Sequence, residues 1–243
     1  MPWRLQDQPH QHIKPKYGQI LQYIEDEDSS PPTHRREEKL AQEVLGVFLH
    51  YGRAIDSKML TALGSIGTQQ AAPTENIMHK IHQYLYYAAT HPDGIITLSA
   101  SDMFLSGHRD ASNLSEKKAC SRAGGHFFLS NNSTDYPNNG AFLIVTQIIK
   151  VVMSSAAKAE LGAFYMNCRK STPSCHTLIA MGHPQPPTPM ETDNTTVLGV
   201  INNTIAPRRT KAMYMRLHRL HCRECRIQFW HTGDQVAPTR VIT

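Results

Sequence analysis

Apolar positions recur at helical spacing before residue 90, and after it in short alternating or continuous runs interrupted by one long helical stretch. From Lys39 onward, Leu40, Val44, Leu45, Phe48 and Tyr51 fall on one face of a helix. Asp56 reads as the N-cap of a second helix bearing Met59, Leu60, Leu63 and Ile66. Thr74, just after Pro73, caps a third that carries Ile77, Ile81, Tyr84, Leu85 and Ala88. Asp93-Gly94 then offers a tight turn into a strand-like run, Ile95-Ile96-Thr97-Leu98. Met103-Phe104-Leu105 opens a strand ending at Asp110, and strands at 124–129 and 141–145 follow, parted by a polar loop at 131–139.

The longest helical pattern spans 153–170. Ala157, Leu161, Phe164, Tyr165 and Cys168 form its apolar stripe, Lys158, Asn167 and Arg169 are expected in water, and Glu160 sits at the stripe's margin. A strand at Met190 follows, and then a helix whose first turn holds Asp193. The order is β-β-β-α-β-α, a mixed α/β sheet with flanking helices after a small helical subdomain. Between this 153–170 helix, the anchor of the sheet-bearing part, and the fourth strand, the Pro-rich stretch 182–189 reads as a stiff connecting loop, despite a PxxP spacing at Pro184 and Pro187.

Composition narrows the picture. Residues 1–36 are polar, rich in Pro, Gln and His, with an acidic run at 25–28, and are expected to form a disordered arm or linker. Residues 37–98 form the helical part and 99–243 the sheet-bearing part. A formal net charge of +5 and a pI near 9.0 suit a polyanionic partner. Five cysteines without regular spacing form no disulfide framework, and no apolar run has signal-peptide or membrane-span length, so an intracellular location is expected, in cytoplasm or nucleus.

The chemistry rests on three acids. Asp110 at a strand end, Glu160 on the anchor helix and Asp193 after the fourth strand follow the order of carboxylate sites that clamp two divalent ions for phosphodiester cleavage. Clustered carboxylates repel one another, so the site makes sense only with its cations. His218, His221, Cys222 and Cys225 offer a zinc-like ligand set, but four ligands from two turns of one helix do not surround an ion tetrahedrally without distortion.

The segments Asp110-Ala111-Ser112, 121–129, Ser154-Ser155 with Ala159-Glu160-Leu161, Thr192-Asp193-Asn194, Arg209-Thr210-Lys211 and 215–218 occur in one order. In that order they resemble the C-terminal part of a copia-type LTR-retrotransposon polyprotein, the reverse-transcriptase tail followed by ribonuclease H. The resemblance runs over roughly residues 10 to 229. It implies a ribonuclease H-like sheet preceded by a thumb or connection remnant. It further implies two Mg2+ (or Mn2+) ions on Asp110, Glu160 and Asp193, hydrolysis of the RNA strand of RNA–DNA hybrids, and recognition of the hybrid by backbone shape and 2′-hydroxyls. Arg208, Arg209 and Lys211 become expected phosphate contacts.

Departures from the family pattern point the other way. Lys158-Ala159-Glu160 stands where Glu-Ala-Glu is usual, and Tyr214 replaces an acid. The closing Asp-x-x-Thr-Lys is missing, so the C-terminal end reads as incomplete and a fourth carboxylate is lacking unless Asp234 substitutes. No Tyr-x-Asp-Asp motif occurs, which excludes DNA synthesis by this chain. The alternative reading is a non-catalytic relic that still binds nucleic acid.

Overall fold

The computed structural model describes residues 8–10, 28–116, 120–131, 139–151, 153–192, 194–201 and 227–231. Two compact units divide the chain, Met1–Ile96 and Thr97–Thr243.

In the first unit, α1 (Arg35–Ala54), α2 (Met59–Gly67) and α3 (Glu75–Thr90) pack through the stripes their sequences predict. Ala41, Val44, Met59, Leu63, Ile77, Ile81 and Tyr84 form its core. Thr74 caps α3 by accepting from the Ile77 N–H at 3.4 Å. Asp56 stops short of the cap expected for it. Lys58 is the N-cap of α2, and Asp56 instead accepts from the Lys58 N–H at 3.2 Å in the turn before it. Residues just ahead of α1 are tied to the start of α3: Thr33 N–H donates to the Pro73 carbonyl at 3.0 Å and Thr74 Oγ1 to Asp28 Oδ2 at 2.6 Å.

The run Ile95 to Leu98 forms no strand. Ile95 is 84% and Leu98 71% exposed, and although the Gly140 N–H donates to the Thr97 carbonyl at 3.0 Å, one such bond among the described residues makes no ladder.

The second unit is a five-stranded sheet in the order β3-β2-β1-β4-β5, built from β1 (Phe104–Glu116), β2 (Cys120–Ser130), β3 (Ala141–Ile149), β4 (Thr188–Thr192) and β5 (Ile227–His231). The first three form an antiparallel meander, whereas β4 and β5 run parallel to β1. Parallel neighbours need crossovers, supplied by α4 (Ala156–Ala180) and α5 (Thr195–Ile201). This is the ribonuclease H-like mixed sheet that the order of elements predicts. Among the described residues, no helix is long and apolar enough to cross a membrane.

The helix α4 runs ten residues beyond the stretch read from sequence, through Pro173. Proline removes one helical hydrogen bond, yet Leu161, Phe164, Cys168, Ser171, Cys175 and Leu178 keep one buried stripe unbroken across it. Tertiary burial outweighs the local break. The stripe meets Leu105, Phe127, Val145 and Met190 from the sheet.

Asn167, expected in water, is fully buried. Its Nδ2 donates to the Gly124 carbonyl at 2.8 Å and to the Ala163 carbonyl at 3.0 Å, fastening α4 to β2. A Cβ on Gly125 would lie 1.9 Å from Asn167 Oδ1, so only glycine admits this approach.

Candidate functional site

β1 is the central strand, and alternation along it sends neighbouring side chains to opposite faces. Arg109 and Ala111 face α4; Asp110 belongs to the other face, with His108 and Ser112. Arg109 is covered completely. Its guanidinium lies 4.7 Å from the Phe164 ring centroid, and Nη1 is 3.4 Å from Glu160 Oε2, with that acid's side chain 9% exposed. Burial pushes the Cys168 thiol far up from its usual range, against the pull of the Arg109 charge. That cysteine is an inert packing residue.

Past His108, the ladder from β1 to β4 has no further registered pair among the described residues, the pairs being Gly107 with Met190 and His108 with Glu191. At that open edge the Ala111 N–H finds side-chain acceptors instead. Asp110 Oδ1 accepts from it at 2.7 Å and Glu160 Oε1 at 3.2 Å. One donor therefore holds two carboxylates, one arriving from each face of the sheet. The two residues are 50 positions apart in the chain. Glu160 reaches the edge from the first turns of α4, whose start Ser155 fixes by accepting from the Lys158 N–H at 3.3 Å. Lys158, at the variant position, turns away and donates to Ser154 Oγ at 2.6 Å.

Just beyond the acids, β1 changes register between Ser112 and Glu116. Leu114 takes φ +52° within this irregularity, and its N–H donates to Ser121 Oγ at 3.1 Å. Arg122 closes the same region through Nε to Glu116 Oε1 at 2.5 Å and Nη1 to Thr146 Oγ1 at 3.0 Å. Bulges of this kind re-aim a strand end beside a site.

A second pair escaped the sequence reading. His108 Nδ1 lies 2.5 Å from Glu191 Oε2, and its ring stacks on Phe128 at 5.2 Å and 14°. The two residues are joined only by the parallel register of β1 and β4, which no local pattern reveals. The same holds for Arg109.

Of the expected site residues, Asp110 and Glu160 come together. Asp193, Arg208, Arg209, Lys211 and Asp234 lie outside the described residues, as do His218, His221, Cys222 and Cys225. The helix α5 starts at Thr195, where Asn194 Oδ1 accepts from the Val197 N–H at 3.1 Å. Among the described residues, no three His, Cys, Asp or Glu side chains gather within metal-binding reach.

No protein-family profile matches the sequence, and neither does any curated protein. The fold is similar to that of a foamy viral protease-reverse transcriptase dRH in complex with double-stranded DNA, with a TM-score of 0.52 and 10% identity over 87% of this chain and 34% of that one. Another foamy viral protease-reverse transcriptase bound to double-stranded DNA aligns at a TM-score of 0.46 and 11% identity, over 87% of this chain and 40% of that one. This chain thus spans about a third of the length of the first. At such identities the likeness is one of fold, and it defines a ribonuclease H-like mixed α/β unit preceded by helices.

Proposed function

We propose that this chain is part of a retroelement polyprotein of copia type, in which a ribonuclease H-like unit engages nucleic acid and hydrolyses the RNA strand of RNA–DNA hybrids. The observation that carries this reading is the meeting of Asp110 and Glu160 at one backbone N–H. The sheet order and the likeness of fold to a viral reverse transcriptase bound to double-stranded DNA support it.

Carboxylates turned to a common point present hard oxygen donors, a set suited to Mg2+ or Mn2+. Two such ions, when bound, supply an activated water and charge stabilisation for the leaving 3′ oxygen. Asp110, Glu160 and Asp193 would hold them. Buried Glu160 offers a fixed oxygen from α4, whereas exposed Asp110 presents its carboxylate on the solvent side where a phosphate backbone arrives. Asp193 is the residue after Thr192, the last of β4, and β4 is the strand beside β1. Arg208, Arg209 and Lys211 are the proposed phosphate contacts, with the hybrid recognised by shape and 2′-hydroxyls.

The Arg109 guanidinium at Glu160 favours a second reading, a domain that binds nucleic acid without cleaving it. A hybrid-cleavage assay on the full chain with Mg2+ or Mn2+ separates the two. Cleavage that Asp110→Asn abolishes supports the nuclease. Salt-sensitive binding of the hybrid without cleavage supports the second reading, and neither binding nor cleavage removes both.

A further inference from the structure

The carboxylate that a divalent ion would have to engage already faces a cation. Arg109 is wholly buried, lies over Phe164, and places Nη1 3.4 Å both from Glu160 Oε2 and from the Glu160 carbonyl. A guanidinium keeps its charge at every pH the fold survives, so no titration removes it. The dipeptide Arg109-Asp110 therefore delivers a fixed positive charge to one face of β1 and a carboxylate to the other, with Glu160 reaching past the first to meet the second at the Ala111 N–H.

This arrangement has two electrostatic effects. Without a metal, Arg109 offsets the repulsion between Asp110 and Glu160 and lets both carboxylates sit at one strand edge. With a metal, the same charge would repel the incoming ion, and Glu160, already committed to Arg109 and to the Ala111 N–H, would have to loosen one of those contacts to hold it. Because the guanidinium is out of water, solvent screens that repulsion poorly.

The geometry points to Arg109 as a resident counter-cation that sets the divalent-ion affinity of this site. It is a positioning residue for Glu160 rather than a group that touches nucleic acid. The inference rests on the reading of Asp110 and Glu160 as cation ligands.

The test is Mn2+ binding to the full chain, followed by calorimetry and by the Mn2+-dependent rise in Tm. Arg109→Met and Arg109→Gln are expected to bind Mn2+ about tenfold more tightly than wild type, from the removal of one nearby unit charge. Arg109→Lys, which keeps the charge, is expected to bind as wild type does, and Glu160→Gln in the Arg109→Met background to lose the gain. If wild type and the neutral variants bind alike while Asp110→Asn abolishes binding, the counter-cation role is overturned and the site stands. If no form binds Mn2+, the reading of the site fails and takes this inference with it. The Arg109 Nε–H resonance of the wild-type chain answers without any substitution. Mg2+ is expected to shift it, and a resonance that stays in place while the Ala111 amide moves overturns the proposal.

Discussion

Two arginine–glutamate pairs lie within one sheet, and they differ in what else each carboxylate does. Arg122 meets Glu116 at 2.5 Å and also donates to Thr146, joining β1, β2 and β3 on the face away from α4. Arg109 meets Glu160 at the longer 3.4 Å, and the other oxygen of that acid is committed to the Ala111 N–H beside Asp110. The first is a clamp across three strands. The second spans helix and sheet and leaves its acid contested among a guanidinium, a backbone N–H and any cation that arrives. Burial is nearly the same for both, so burial alone does not separate a structural pair from a site. Distance and the other commitments of the acid do.

The largest expected effect comes from moving α4 without touching either pair. Gly125→Ala forces a Cβ onto Asn167 and is expected to cost about 2 to 4 kcal/mol in urea unfolding, by overpacking against a fixed helix. In whatever fraction remains folded, it should disturb Mn2+ binding through Glu160, while the Arg122 clamp holds. A variant as stable as wild type would show that Asn167 does not seat the helix.

Next in size is Glu116→Gln, which leaves Arg122 buried beside a neutral partner and should cost about 2 kcal/mol. Mn2+ affinity is expected to stay as in wild type. A changed affinity would mean that the clamp and the site are one network. Smaller again is Leu114→Gly, which relieves a left-handed residue at φ +52° and is expected to add about 0.5 kcal/mol of stability, the gain being partly offset by the freedom of glycine in the unfolded chain. Loss of stability there would assign Leu114 a packing role that outweighs its strain.

The helical unit was legible because its stripes are long and regular, from Leu40 to Tyr51 and from Ile77 to Ala88. The order of elements up to α5 followed from the succession of short apolar runs around one amphipathic helix. Failures came where non-local packing decides. Ile95 to Leu98 has strand composition but lies exposed, α4 outruns Pro173 because its stripe stays buried, and Asn167 is polar yet sealed beneath glycines on β2. The five-residue β5 alternates too briefly to be read before its parallel pairing with β4 is seen. Asp110 was visible as an acid at a strand end, and Glu160 as an acid at the margin of a helical apolar stripe. Arg109 and the His108–Glu191 pair were not, since only strand alternation and register bring their partners near.

The central claim is that Asp110 and Glu160 make one cation site at the Ala111 N–H. Mn2+ titrated into the 15N-labelled full chain tests it most directly, through paramagnetic broadening of individual amides. Ala111 is expected to be among the first amides lost in wild type and to persist in both Asp110→Asn and Glu160→Gln, with the exposed Asp110→Asn changing stability by less than about 0.5 kcal/mol. An Ala111 amide that survives Mn2+ in wild type, or that broadens equally in Asp110→Asn, would contradict the account.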